Sequence, residues 1–573
     1  MADSTVDTSW IEPPLELDDA AAGVWAGEAD VVVVGLGLAG VCAALEARER
    51  GLEVIVVERF DGGGASAISG GIYYGGGTAV QQEAGVQDTT DDLFAYLEQE
   101  LGGAVSRKTV RAFADQSADN LEWLRAHGVQ YKGVLYEPKT AYPPDGYYLY
   151  YSGNERLKEF AARARPAARG HRAYADDHPG GASGGVMMRP LLEAVRRSGA
   201  QLITHAPVVR LVTSPEGGVV GVEAAELPPE SRAEHLSHYS KVQPVRTRLA
   251  AAAANDAIRA SRELEQSRGR RIRIKARHGV VIAAGGYINN PAWLEAYGSA
   301  DYSKIVRLAR IGCDGSGIAL GRSVGGTADL MQNVYAGIKL APPEAFAHGI
   351  LVSPEGRRFR SEEAYLSTLG NDVTNKFGGK TWLILDATLL LQALRQCMPD
   401  GTGLFTTFYA PVLLNLALGG TRWAWSIKAL AKKCGMDPVA LAETIDQVNR
   451  SADGSAPDPF DKSPNLRHAL HRAPFVAVNL AVDNPWSFTA CFSLGGLKVN
   501  EATGQVQRAD GWPIPGLYAA GRSAIGLPSK SYVSGMSLAD CVFSGRRAAR
   551  AVSEIAGGER PAPLAASSAA PRS

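Results

Sequence analysis

Only six cysteines, Cys42, Cys313, Cys397, Cys434, Cys491 and Cys541, are scattered through this 573-residue chain, and none forms a CxxC pair. That pattern speaks against a disulfide scaffold or a thiolate zinc site and suits a reducing, cytoplasmic setting. Excess charge of either sign is also missing. The formal net charge is −1, which gives no general attraction to nucleic acid or anionic lipid. The opening stretch MADSTVDTSWIEPPLELDD is acidic and lacks an apolar h-region, so no secretory signal is expected there. Long uncharged runs are scarce as well. The one candidate, Gly401 to Thr421, approaches the roughly 20 residues that a spanning helix needs. Pro411, Asn415 and its glycines and threonines favour a buried helix or a lid over an apolar cavity instead. Trp423 and Trp425 follow it beside several lysines, a pairing that suits peripheral contact with a bilayer surface.

What is present describes a globular protein with more than one core. Hydrophobic residues make up 45% and charged residues 21%, and the length favours two domains with decorations. A Pro/Ala/Ser-rich tail over 556–573 reads as disordered. A small-molecule ligand is therefore sought first.

The stretch DVVVVGLGLAGVCAALEARERGLEVIVVER spells a βαβ unit. Val31 to Val34 form an all-apolar strand of the kind that a parallel sheet buries on both faces. Gly35, Gly37 and Gly40 make the GxGxxG turn: one for the bend, one for backbone approach to a pyrophosphate, one for close helix–strand packing. The helix N-terminus offers free N–H groups to that pyrophosphate. Glu58 closes the second strand, about 20 residues on, placed to accept ribose hydroxyls. A lone GxGxxG is weak evidence among 64 glycines; strand, turn, helix, strand and terminal acid together are strong.

A nicotinamide and a flavin dinucleotide both fit this unit, and later segments choose between them. Directly after Glu58 comes RFDGGGASAISGGIYYGGG, a loop of small residues suited to wrapping an extended FAD. HGVVIAAGGYINN and GWPIPGLYAAGRSAIG are further buried strands that end in small residues. No second GxGxxG unit exists for a nicotinamide donor. The expectation is one bound dinucleotide, FAD, and electrons exchanged with an unidentified acceptor.

In this order the segments resemble the flavoprotein family of fumarate reductases and 3-ketosteroid dehydrogenases. The resemblance runs over most of Ala29 to Val552 and includes GILVSPEGRRFRSEEAY, FSLGGLKVN and IPGLYAAG. It implies an α/β fold: a Rossmann-like FAD-binding domain interrupted by an α+β capping domain that holds substrate. It implies cofactor contacts from Ser66, Gly70, Gly71, Val209, Ala284, Gly285, Gly521, Arg522, Ser537 and Leu538, beside the glycines and Glu58 already named. Arg522 departs from the pattern, since many members carry Glu there. The carboxylate reducers carry a histidine just before the T-x-G-G turn; here that slot is Phe492. The covalent members carry a histidine in the early loop, which this loop lacks, so non-covalent FAD is expected.

The last stretch, SYVSGMSLAD, has a phenol and a hydroxyl two residues apart and no acid until Asp540. It resembles the C4–C5 desaturating ketosteroid dehydrogenases in Tyr532, Val533, Ser534, Gly535, Ser537 and Leu538. The resemblance implies dehydrogenation of a 3-oxosteroid at C4–C5 in steroid or sterol degradation: a proton leaves the carbon beside the ketone, and a hydride passes to flavin N5. Tyr532 and Ser534 are expected to divide ketone polarisation and proton abstraction, with Tyr365 completing a relay. Gly535, Phe492 and Tyr150 are expected to touch substrate. The cluster DGYYLYYSGNE, which contains Tyr150, reads equally as the wall of a flat apolar site or as a strand edge facing the cap. Alternatives are C1–C2 desaturation, reduction of an activated alkene, or a non-catalytic flavin- and lipid-binding protein.

The expected organisation is an N-terminal extension over 1–28, an FAD-binding domain over 29–290 and 484–555, and a capping domain over 291–483. An insertion at about 227–272, alanine-rich and charged, reads as a solvated surface helix, with contact to lipid or a partner as the alternative.

Overall fold

Alternating faces of one strand feed two different cores. The computed structural model describes residues 10–17, 24–178, 180–241, 248–298, 302, 305–399, 405–487 and 489–557. The segment before Trp10 and the Pro/Ala/Ser tail beyond 557 lie outside these described residues. Strand β1 is Leu15–Glu16, β2 is Gly27–Val34, helix α1 is Leu38–Glu49 and β3 is Val54–Val57. Val31 and Val33 enter one core with α1, whereas Val32 and Val34 enter the core on the other face. This is the period-2 geometry of a strand, and burying each valine side chain contributes roughly 1.5–3 kcal/mol.

Strands β4 (Gln201–Ile203), β5 (Val208–Thr213) and β6 (Val219–Glu226) follow. Helices α2 (Pro229–Lys241) and α3 (Arg248–Arg268) come next, then the long strand β7 (Arg270–Ile282). Near the C-terminus are β8 (Gln505–Gln507), β9 (Pro513–Ala519) and α4 (Met536–Ala556). These nine strands form one sheet in the order β1-β5-β6-β7-β2-β3-β4, with β9 also on β7 and β8 on β9. The strands around the GxGxxG turn are parallel: β7 with β2, β2 with β3, β3 with β4 and β7 with β9. The architecture is the expected Rossmann-like FAD-binding fold.

Two boundaries differ from the sequence reading. The N-terminal extension is not separate, because Leu15 and Glu16 pair with Val212 and Thr213 at the sheet edge. The start of the expected capping domain also shares the sheet's core: Trp293, Leu294, Ile318 and Leu320 are buried in the same cluster as Val32 and Ile282. The cap has its own core around a four-stranded sheet of Ile350–Val352, Trp382–Leu385, Phe475–Asn479 and Arg422–Ala424. No helix among the described residues is long and apolar enough to cross a membrane. Within the uncharged run, residues 401–404 lie outside the described residues and Ala410–Leu418 is a short helix.

Two small sheets carry the rest of the site. Val306–Arg307, Thr489–Ser493 and Val334–Ile338 form one, in which Tyr335 lies directly opposite Phe492. Ile72–Tyr74, Gly170–Arg172, Leu149–Tyr150 and Leu135–Tyr136 form the other.

Candidate active site

Two cavities meet at Ala65, Ser66, Arg522 and Cys541, which line both. The first follows the βαβ unit and is lined by Gly35, Gly37, Glu58, Val209, Ala284 and Gly285. The Leu38 amide donates to Ser66 Oγ at 3.2 Å, fixing the early glycine-serine loop against the start of α1. Glu58 receives the Leu36 amide at 2.6 Å and the Phe60 amide at 2.8 Å. Burial pushes its carboxyl up, and those two donors pull it back only in part.

Gly40, Gly71 and Gly521 do not line either cavity; each lets backbone or side chains close behind the wall. A Cβ at Gly40 would sit 1.9 Å from the Gly35 carbonyl oxygen, which is the close helix–strand packing expected of the third glycine. Gly71 abuts Ser183, and Gly521 abuts Ala39 and Cys541.

The residues of the first cavity fit a dinucleotide. Arg262 Nε and Arg310 Nε are buried there without a hydrogen-bond partner, an arrangement that costs free energy unless an acceptor arrives. Gly37 leaves space where a side chain would intrude, the nearest atom to its absent Cβ being Ser66 Oγ at 3.9 Å.

The second cavity, of about 500 Å³, brings together Ser66, Gly70, Tyr365, Phe492, Arg522, Tyr532, Ser534, Gly535, Ser537 and Leu538. That volume lies within the roughly 300–1,000 Å³ of small-molecule sites. Gly535 opens α4 at φ 94°, and a Cβ there would meet Ile72 Cγ2 at 2.8 Å and the Tyr74 amide at 2.9 Å. Glycine is therefore required where the chain turns from the Tyr532–Ser534 segment into the helix. The N-terminal turn of α4 delivers Ser537 and Leu538 to the cavity with their amides at the positive end of the helix dipole.

Tyr150 does not line the cavity, yet its hydroxyl donates to Ser534 Oγ at 3.0 Å from the neighbouring small sheet. Tyr365, expected to complete the relay, lines the same cavity at the start of the helix Leu366–Phe377, its ring centroid 6.1 Å from that of Tyr532. The Gly535 amide donates to the Tyr532 hydroxyl at 3.4 Å, leaving the phenolic proton free for another acceptor. Burial pushes the Tyr532 phenol up to about 12, with Gly535 and Arg522 opposing. Burial raises Tyr365 and Tyr150 well above their ordinary value too. These phenols remain protonated donors near neutral pH.

Sequence reasoning missed Tyr335, Tyr142, Lys339 and Phe408, all of which line the second cavity. Tyr335 stacks on Phe492 with centroids 4.5 Å apart, and both rings meet Tyr532 edge-on. Phe408, from the uncharged run, stacks on Tyr142 at 5.8 Å, so that run does contribute to the cavity wall. Two cations, Lys339 and Arg522, line this slot. Lys339 sits 3.7 Å from the Phe408 ring centroid and Arg522 lies 5.4 Å from that of Phe492, where aromatic faces hold cations favourably. Among the described lining residues none is an acid or a histidine.

Known proteins resemble this chain over most of its length. A family model for an FAD binding domain matches residues 30–536. The chain is 36% identical over 526 residues to a 3-oxo-5-alpha-steroid 4-dehydrogenase from Comamonas testosteroni, covering 88% of this chain and 95% of that one. It is 24% identical to a 3-oxosteroid 1-dehydrogenase from Mycolicibacterium smegmatis, covering 88% of this chain and 93% of that one. A crystal structure of 3-ketosteroid-delta4-(5alpha)-dehydrogenase from Rhodococcus jostii RHA1, in complex with 4-androstene-3,17-dione, superposes with a TM-score of 0.78 at 27% identity, covering 95% of this chain and 100% of that chain.

Proposed function

Because the chain belongs to the FAD-binding flavoprotein family, we propose that it dehydrogenates a 3-oxosteroid between C4 and C5, as a step in steroid breakdown. FAD is its cofactor. The observation that carries the reading is the Tyr532–Ser534 segment on an aromatic cavity whose described lining residues include no carboxylate and no imidazole. A histidine that would grip a carboxylate substrate is replaced by Phe492, stacked on Tyr335.

When bound, FAD supplies the hydride acceptor; Gly35, Gly37, Glu58, Ser66 and Ala284 are the residues that would hold it. We assign ketone polarisation to the Tyr532 O–H. Its oxygen already accepts from Gly535, and its elevated pKa keeps the proton in place for donation. Charge that develops on the ketone oxygen as the neighbouring C–H ionises is stabilised by such a donor, typically by about 2.7–4 kcal/mol. We assign proton abstraction to Ser534 Oγ. As it takes the substrate's proton, it passes its own to the Tyr150 oxygen 3.0 Å away once that hydroxyl, which donates to Ser534 at rest, turns to accept, and Tyr150 releases its own proton towards solvent. A relay of neutral hydroxyls avoids the cost of burying an unpaired carboxylate beside an apolar substrate. The stacked pair Tyr335–Phe492 and the Phe408–Tyr142 pair exclude water and present flat faces to a fused-ring substrate.

Anaerobic addition of a saturated 3-oxosteroid tests the reading. The flavin absorbance bleaches and a 4-ene-3-one accumulates. A flavin that stays oxidised contradicts turnover, and a 1-ene product contradicts the assigned bond.

Peripheral contact with a lipid surface is part of the same proposal. Leu414, Leu418, Trp423 and Trp425 are exposed on the cap, beside exposed Lys428 and Lys432. This combination suits anionic lipid. Co-sedimentation with phosphatidylglycerol vesicles tests it, and equal recovery without vesicles contradicts it. A reducing, cytoplasmic residence suits the six free thiols.

A further inference from the structure

We propose that the helical insertion α2–α3 and the N-terminal segment form the outer wall of the adenosine half of the cofactor cleft. A partly buried ladder of charged and imidazole groups latches that wall to the sheet and sets how long the dinucleotide stays bound. Glu58 at the end of β3 marks the ribose position of the βαβ unit, so the adenosine lies beyond it. There the first cavity is lined by Trp10 from the N-terminal segment and by Tyr239, Arg262, Glu265 and Gln266 from the insertion. The insertion is therefore not the solvated surface helix that its composition suggests.

The ladder is continuous. Arg262 stacks over the Trp10 ring at 3.9 Å, and the Trp10 indole N–H donates to Ser316 Oγ at 3.1 Å. Arg262 also donates to Asp314 at 3.0 Å, and Arg59 donates to Asp314 at 2.8 Å and to Glu265 at 2.7 Å. Glu265 pairs with His235 at 2.7 Å, the His235 and His205 Nδ1 atoms are 3.0 Å apart, and His205 pairs with Asp61 at 2.8 Å. Phe60 stacks on His235 at 4.4 Å and on Tyr239 at 4.5 Å.

Arg59 and Phe60 directly follow the ribose-facing Glu58, so cofactor contact and latch share one turn of chain. Burial alone would raise the Asp314 carboxyl, but Arg59 and Arg262 hold it at about 2, an anion at every working pH. Opening the wall separates those charges or exposes the adenosine site. The inference concerns the cofactor and holds whichever steroid bond is oxidised.

The test follows free-FAD fluorescence after dilution of the holoenzyme. Arg262→Ala and Trp10→Ala each accelerate FAD release, Arg262→Ala by roughly tenfold or more, because truncating a buried charge partner acts mainly on the off-rate. Arg259→Ala is the control: Arg259 is 72% exposed on the same helix and pairs with Asp256 away from the ladder. Its release rate stays at the wild-type value. If Arg262→Ala does not accumulate, the near-isosteric Glu265→Gln replaces it with the same expected direction. Wild-type release from both latch variants, or equal acceleration by Arg259→Ala, overturns the proposal.

Discussion

The Tyr150 hydroxyl donates to Ser534 Oγ at 3.0 Å although the two residues are 384 positions apart. The bond joins the small sheet of the FAD-binding domain to the turn that starts α4. It gives the serine a phenol that can exchange a proton with it once the Tyr150 hydroxyl turns.

Removing that partner slows the proton step more than it weakens substrate binding. Ser534→Ala lowers kcat by roughly 10²–10⁴-fold, the usual contribution of a positioned acid–base group. Tyr150→Phe causes a smaller loss with KM little changed. Steady-state kinetics on FAD-loaded protein check both, and a Tyr150→Phe enzyme with wild-type kcat contradicts the relay.

Tyr532→Phe deletes the donor to the ketone while keeping the ring against Tyr335 and Phe492. The expected loss in kcat is about 10²–10³-fold, with FAD content unchanged. Near-normal turnover would assign ketone polarisation elsewhere.

Phe492→Ala opens a hole beneath Tyr335 and Tyr532. Truncation of a buried phenylalanine costs about 3–5 kcal/mol, so the unfolding midpoint falls and KM for the steroid rises. An unaltered KM would remove Phe492 from the substrate wall.

Stability carries a pH signature behind the site. Glu100 accepts from Ser531, Tyr96 and Asn154, yet burial pushes its carboxyl up from 4.5 to about 7. A raised carboxyl favours the protonated fold. Its stabilisation is complete below 4.5 and is lost as pH rises through about 7. Thermal unfolding midpoints of wild type therefore decline across this window relative to Glu100→Gln. Parallel curves for the two proteins would remove Glu100 as the source.

Local signals were legible in the sequence, and long-range ones were not. The GxGxxG turn and Glu58 announced the sheet and the first cavity because their chemistry is confined to one βαβ unit. Tyr532 and Ser534 were legible by resemblance, and both line the second cavity. Tyr335 was not, because its meaning comes from lying opposite Phe492 on a strand contributed from far along the chain. The insertion misled for a related reason: alanine-rich periodicity reports a helix but not what that helix covers, and only Arg59, Asp314 and His205 from other elements reveal it.

The central claim is tested most directly by a saturated 3-oxosteroid carrying deuterium at C5 and at both C4 positions. The account predicts a product that has lost the C5 deuterium and one C4 deuterium, the latter appearing in solvent water. A dehydrogenated product that still carries its C5 deuterium would contradict it.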